Sequence, residues 1–203
     1  MKRFISVLLA VILSIPLFGV TAYGDDSKYT KTIVMYNAVL VEEEVPDLPF
    51  RYDFSAFVDE VHFSQEDMEV MIIGGRTGLQ PYVDTILEAS VEYGLNPVFL
   101  LAQFGIESSW GTSDMFLTRN NIGGWKNGDG SYKYFESVED CIWTIAESLA
   151  TEYANPNHWK YCGGDTVEDV LSVYCPSSRG YVELMYEIMF TLQTKAFENR
   201  GYI

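Results

Sequence analysis

Apolar residues recur at helical spacing through most of the chain, and each run ends at residues that stop helices. Val83, Ile86, Leu87 and Val91 share one face of a helix expected over 80–93, which Gly94 closes. Asn96 and Pro97 read as N-cap and first helical residue of the next, which should run to about Ser109, ahead of Gly111. From Val98 to Ile106 that helix is apolar nearly all round, the pattern of a helix buried at the centre of a domain. Gly105 in its interior costs roughly 1 kcal/mol against Ala, so a close contact is expected there.

Ser137 with Asp140 opens a further helix, striped by Val138, Cys141, Ile142, Ile145 and Leu149. Thr166 with Asp169 opens a short one ending at Cys175-Pro176, and Val182, Met185, Met189 and Leu192 stripe the last. Upstream, Phe54, Phe57, Val58 and Val61 make 51–75 helical in pattern, with a second short helix from Ser64 to Gly74-Gly75. Residues 25–50 run from polar through apolar to acidic and proline-containing, and read as an extended linker with one strand. Asn127-Gly-Asp-Gly130 lies between Trp125 and Tyr132, the signal of a small hairpin. The sum is a mainly α domain around a buried central helix, with one short β-hairpin placed to line a cleft.

Composition changes this picture at the N-terminus. Lys2 and Arg3 precede an apolar run from Phe4 to Val20, with Thr21 and Ala22 after it, the layout of a secretory signal peptide cleaved after Ala22 or Gly24. The run is short for a spanning helix and broken by Ser14 and Pro16, so no stable membrane anchor is expected after cleavage. A formal charge of −16 argues against nucleic acid or anionic lipid as partner. His62 and His158 are far apart and no cysteine pair has ligand spacing, so neither metal nor cofactor is expected. Cys162 and Cys175 fit a disulfide closing a short loop, and all three cysteines fit equally as small buried hydrophobes.

The candidate chemistry centres on Glu107. It falls in the last turn of the buried helix, where the negative end of the helix dipole and apolar neighbours such as Trp110 both disfavour its anion. A carboxyl whose pKa is raised in this way can hold a proton at neutral pH and deliver it to the leaving oxygen of a glycosidic bond. Trp110, Asn120, Asn121, Trp125, Tyr132 and Tyr134 follow, a set of stacking faces and amide hydrogen-bonders suited to N-acetylated sugars.

Glu107-Ser-Ser-Trp-Gly-Thr-Ser113 and Asn120-Asn-Ile-Gly-Gly-Trp-Lys126 together resemble the glucosaminidase family of bacterial cell-wall hydrolases, glycoside hydrolase family 73. That family shows a pattern near E-S-x-W-G-x-S and then N-N-L-F-G-I-K. Ala102-Gln103 upstream, Tyr134-Phe-Glu-Ser137 downstream, and Tyr174 with Tyr181 fall in the expected order, the two tyrosines one residue further apart than the pattern. Gly123 stands where the family has Phe and Trp125 where it has Ile, which moves the aromatic contact two positions along.

The resemblance implies an α+β lysozyme-like fold and cleavage of the β-1,4 bond between N-acetylglucosamine and N-acetylmuramic acid in the glycan strands of peptidoglycan. It gives Glu107 the general-acid role, with Trp110, Asn120, Asn121, Trp125, Tyr134, Tyr174 and Tyr181 around the substrate. The resemblance covers residues 79–195 as the glucosaminidase domain, preceded in the reading of composition and periodicity by a signal peptide at 1–24, a linker at 25–50 and a helical extension at 51–78.

A second carboxylate decides the mechanism. Inverting enzymes place the pair about 6.5–9.5 Å apart and retaining ones about 5–5.5 Å. Asp129 and Glu136 are the acids near the hairpin, and a third route uses the substrate's own acetamido group. The shortness of that hairpin also keeps two alternatives in view: a lytic transglycosylase, and a non-catalytic glycan-binding module on the same scaffold.

Overall fold

The computed structural model describes residues 34–36, 39–41, 63–74, 77–176 and 180–202. Residues 1–24, expected as a signal peptide, and the apolar positions Phe54, Phe57, Val58 and Val61 lie outside the described residues. Strands β1 (Val34–Tyr36) and β2 (Val39–Val41) pair antiparallel in the register Val34 with Val41 and Tyr36 with Val39. The sequence suggested a single strand there. These strands fall in one unit of the chain, up to Leu48, and the helices in a second, from Pro49 to Tyr202.

The helical unit is built on local signals. In α1 (Gln65–Ile72) Ser64 and Asp67 form a reciprocal capping box. A 3₁₀ turn (Thr77–Tyr82) leads into α2 (Val83–Tyr93), which Gly94 ends in a left-handed cap. In α3 (Pro97–Glu107) the Asn96 side chain accepts from the Val98 and Phe99 amides at 2.9 and 3.3 Å. Helix α4 (Asp114–Arg119) is capped by Ser113, and α5 (Val138–Ser148) by Ser137. A π-helical turn (Leu149–Tyr153) follows, then α6 (Val167–Tyr174) with its Thr166–Asp169 box, and α7 (Tyr181–Asn199).

Helix α3 is the axis of the core: every residue from Pro97 to Gly105 is buried. Phe99 and Phe104 are wholly buried with Phe135 and Phe197, and each such side chain contributes roughly 1.5–3 kcal/mol by leaving water. Helices α1 and α7 are joined by Arg200, whose Nε donates to Asp67 at 2.9 Å, and by Lys195, which donates to the Ile73 carbonyl at 2.6 Å.

The structure corrects one expectation and refines two. Val91 is 60% exposed, because α2 buries Val83, Ile86, Ala89 and Ser90 instead, a stripe displaced from the one its largest apolar residues draw. The hairpin is reduced to a turn with one isolated antiparallel bridge, Lys126 to Tyr132, since so few residues separate its arms. None of the three cysteines is in a disulfide: Cys141 is buried, and Cys162 donates to the Gly164 carbonyl. Burial pushes the Cys141 thiol up to about 12, which leaves it an unreactive core residue.

Candidate active site

The chain reverses direction immediately after Glu107, and the residues that follow it are used to make that reversal. Ser109, Trp110 and Gly111 all have positive φ (52°, 58° and 79°), a conformation that costs a non-glycine residue on the order of 1–3 kcal/mol. Buried Ser108 offsets part of this. Its hydroxyl donates to the Phe104 carbonyl at 2.6 Å and accepts from the Gly111 amide at 2.9 Å, and its carbonyl takes the Thr112 and Ser113 amides. The Trp110 ring folds back onto Gly105, where a Cβ would lie 2.6 Å from the indole. The close contact expected at Gly105 is therefore with Trp110, beneath the last turn of the helix that bears Glu107. Gly111 in turn meets Gly78 backbone to backbone, so that a Cβ on Gly78 would fall 2.4 Å from the Trp110 carbonyl.

The paired asparagines shape the segment facing the acid. Asn120 adopts the left-handed cap of α4 and donates to the Phe135 and Glu136 carbonyls at 3.0 and 3.1 Å. Asn121 is fully buried and holds three backbone groups, donating to the Trp125 and Lys133 carbonyls at 2.8 Å each and accepting from the Trp125 amide at 2.9 Å. These bonds bend the chain so that Gly123 and Gly124 run past α3. A Cβ at Gly124, where φ is +66°, would lie 2.6 Å from Glu107 Oε2. The Tyr174 hydroxyl donates to the Gly123 carbonyl, and the Tyr174 ring lies 6.5 Å from that of Trp125.

Glu107 is thus enclosed by a glycine segment on one side and by α7 on another, where the Tyr181 hydroxyl donates to Oε1 at 2.6 Å. Burial raises its pKa, opposed by the Tyr181 hydrogen bond and by the charge of Lys126. Burial and the nearby Glu107 charge both push the Tyr174 and Tyr181 hydroxyls up, so both remain protonated donors. Gln103 is wholly buried one turn before Glu107.

The remaining sequence candidates sit elsewhere in character. Asp129 is fully exposed and its Oδ1 accepts from the Ser131 hydroxyl and amide at 2.6 and 2.9 Å, which hold its carboxyl below the usual range. Glu136 is exposed, and neither acid is among the groups that act on Glu107. Tyr134 is 64% exposed. Gly124 and Lys126 went unassigned in the sequence, because their relation to Glu107, close packing for the first and charge for the second, is made across the fold with no local signal. Among the described residues no group of three or more His, Cys, Asp and Glu side chains could hold a metal ion, and no helix is long and apolar enough to cross a membrane.

With this geometry in place, the comparisons with known proteins give the class. The profile of the glucosaminidase family, described as mannosyl-glycoprotein endo-beta-N-acetylglucosaminidase, matches residues 83–193, more than half of the chain. The chain belongs to this family and is a glycoside hydrolase. Its fold is similar to that of autolysin E of Staphylococcus aureus in complex with a muropeptide, at 17% identity and a TM-score of 0.52, over 75% of this chain and 73% of that one. A second structure of S. aureus autolysin E gives 16%, 0.50, 75% and 72%. The catalytic domain of the autolysin Auto from Listeria monocytogenes is 14% identical with a TM-score of 0.44, over 68% of this chain and 99% of that one. No curated protein sequence matches the chain.

Proposed function

We propose that this glycoside hydrolase acts on peptidoglycan after export, cleaving the β-1,4 bond between N-acetylglucosamine and N-acetylmuramic acid with Glu107 as general acid. One observation carries the reading: the Glu107 carboxyl ends the buried helix α3, is half-buried, and is held by Tyr181 beside a segment with no side chains at Gly123 and Gly124. Such a carboxyl keeps its proton to higher pH than an exposed one and gives it to the glycosidic oxygen as the bond to the anomeric carbon breaks. With no side chain at Gly124 the backbone passes directly against the Glu107 carboxyl, and Trp125 supplies an aromatic face next to that segment. The solved relative bound to a muropeptide, NAM-L-Ala-D-iGlu, supports this choice of glycan.

Asp129 and Glu136 stand in water with their own surroundings, so neither is held as a partner to Glu107. The route that fits this arrangement has the substrate's acetamido oxygen attack the anomeric carbon, with water then opening the ring so formed. The same observation favours a second reading, the lytic transglycosylase, in which the sugar's own hydroxyl takes the place of water. On this account residues 1–24 direct export, 25–50 are a linker, 51–78 an extension and 79–195 the catalytic domain.

Incubation with purified sacculi tests the proposal. Reducing ends should appear with wild-type protein and not with Glu107→Gln, and mass spectrometry should find muropeptides carrying the elements of water. Anhydro-sugar ends would select the transglycosylase, and binding to sacculi without solubilisation by folded protein would select a non-catalytic module.

A further inference from the structure

Trp159 is 84% exposed, more than any other large apolar side chain described. An isolated exposed side chain needs no explanation, but Trp159 is not isolated. Its loop is pinned: His158 donates its amide to the Asn155 carbonyl at 2.9 Å, and Tyr161 donates to the His158 carbonyl at 3.0 Å. The Cys162 amide donates to the Tyr153 carbonyl at 3.0 Å, tying the loop to the π-helical turn. The His158 ring lies against the indole at 5.8 Å.

Lys160 then joins this loop to the cleavage site. Its ammonium is ion-paired with Glu152, which also accepts from the Ser148 hydroxyl at 2.8 Å. The same nitrogen stands 5.4 Å from the Trp159 ring, 5.6 Å from that of Tyr153 and 5.7 Å from that of Trp125. Each contact is a cation–π interaction, and together they fix two indoles around one charge. The centres of Trp159 and Trp125 are therefore no more than about 11 Å apart. Trp125 directly follows Gly124, which faces Glu107.

We infer that Trp159 is an outlying stacking platform for the glycan, continuous with the cleavage site through Lys160 and Trp125. This rests on the reading of the Glu107 site as one that cleaves an N-acetylated glycan. The occupant is a further pyranose ring of the same strand, whose C–H face meets the indole as it would at Trp125. A loop already held by hydrogen bonds loses little freedom when the sugar arrives, which is why an exposed side chain there can contribute to binding.

Calorimetric titration with N-acetylglucosamine oligomers of increasing length tests the inference, in the Glu107→Gln background so that nothing is cleaved. With Trp159 intact, affinity should climb with length. With Trp159→Ala the deficit should grow with length and reach about 10-fold for the longest oligomer, the loss typical of truncating an anchoring tryptophan. Trp159→Phe should recover most of it. A deficit absent at every length, or equal at every length, would overturn the platform. So would a concentration-dependent dimer that Trp159→Ala dissolves, since a second copy would then cover the indole. If wild-type protein solubilises sacculi while Trp159 has no length-dependent effect, this inference alone fails. If it neither cleaves sacculi nor binds oligomers of any length, the functional reading fails with it.

Discussion

Glu107 and Asp129 arise from similar sequence, an acid among glycines, serines and aromatics, yet the fold treats them in opposite ways. Glu107 is carried to the end of a buried helix and given a single hydroxyl donor, so burial dominates and its pKa rises. Asp129 is left in water at a turn and given the amide and hydroxyl of Ser131, so hydrogen bonding dominates and its pKa falls. The first arrangement suits a group that must release a proton during a reaction. The second suits a group that stays ionised and fixes a turn. The difference lies in the form each environment favours: among the described residues, the half-buried carboxyl of Glu107 is pushed toward its neutral form and the exposed one of Asp129 toward its anion.

Replacing Glu107 should have the largest effect. Glu107→Gln should lower reducing-end release by roughly 10²–10⁴-fold, the range supplied by general acid catalysis. The same change should raise the melting temperature at neutral pH. A carboxyl whose folded pKa lies above its unfolded value destabilises the fold as pH rises from the unfolded value through the folded one, and Gln removes that loss. The gain in melting temperature should shrink as pH is lowered into the ordinary glutamate range, which calorimetry at two pH values would show.

Gly124→Ala should come next. Its Cβ would meet the Glu107 carboxylate at 2.6 Å in a backbone conformation that disfavours side chains, so the segment must shift. Stability should fall by roughly 1–2 kcal/mol in urea unfolding and turnover should fall with it. Unchanged turnover would mean that the spacing between Gly124 and the acid does not matter.

Tyr181→Phe should be milder and sharper. It removes a hydrogen bond that favours the Glu107 anion, so the Glu107 pKa should rise further and the alkaline limb of the activity profile should move to higher pH. A limb that stays in place would separate Tyr181 from the proton chemistry. Smallest should be Asp129→Asn, with activity within about 2-fold of wild type, since a solvated turn residue away from the chemistry is being exchanged for another. Loss as complete as for Glu107→Gln would erase the contrast between the two acids.

Much of the fold was legible because its signals are local. The caps at Ser64, Asn96, Ser137 and Thr166 are read from residues within one turn, and all four hold in the structure. The buried helix α3 was legible because apolarity all round leaves no alternative to burial. Helix α4 was not, as six residues are too few to show a period, and the buried stripe of α2 was misplaced because Ala89 and Ser90 carry no hydrophobic signal to mark it. At the site, Glu107 could be singled out from its position, and Tyr174 and Tyr181 from their order in the resemblance. What could not be read was why each residue is needed: Gly105 for the Trp110 ring, Gly124 for the Glu107 carboxylate, and Tyr181 for its other oxygen. Those are contacts between segments that only the folded chain brings together.

The most direct test is a carboxyl-carbon NMR titration of the wild-type protein, with the Glu107 resonance identified by its loss in Glu107→Gln. The Glu107 midpoint should lie above those of the surface glutamates. A midpoint at or below theirs would contradict this, because the carboxyl would then enter the neutral range already ionised.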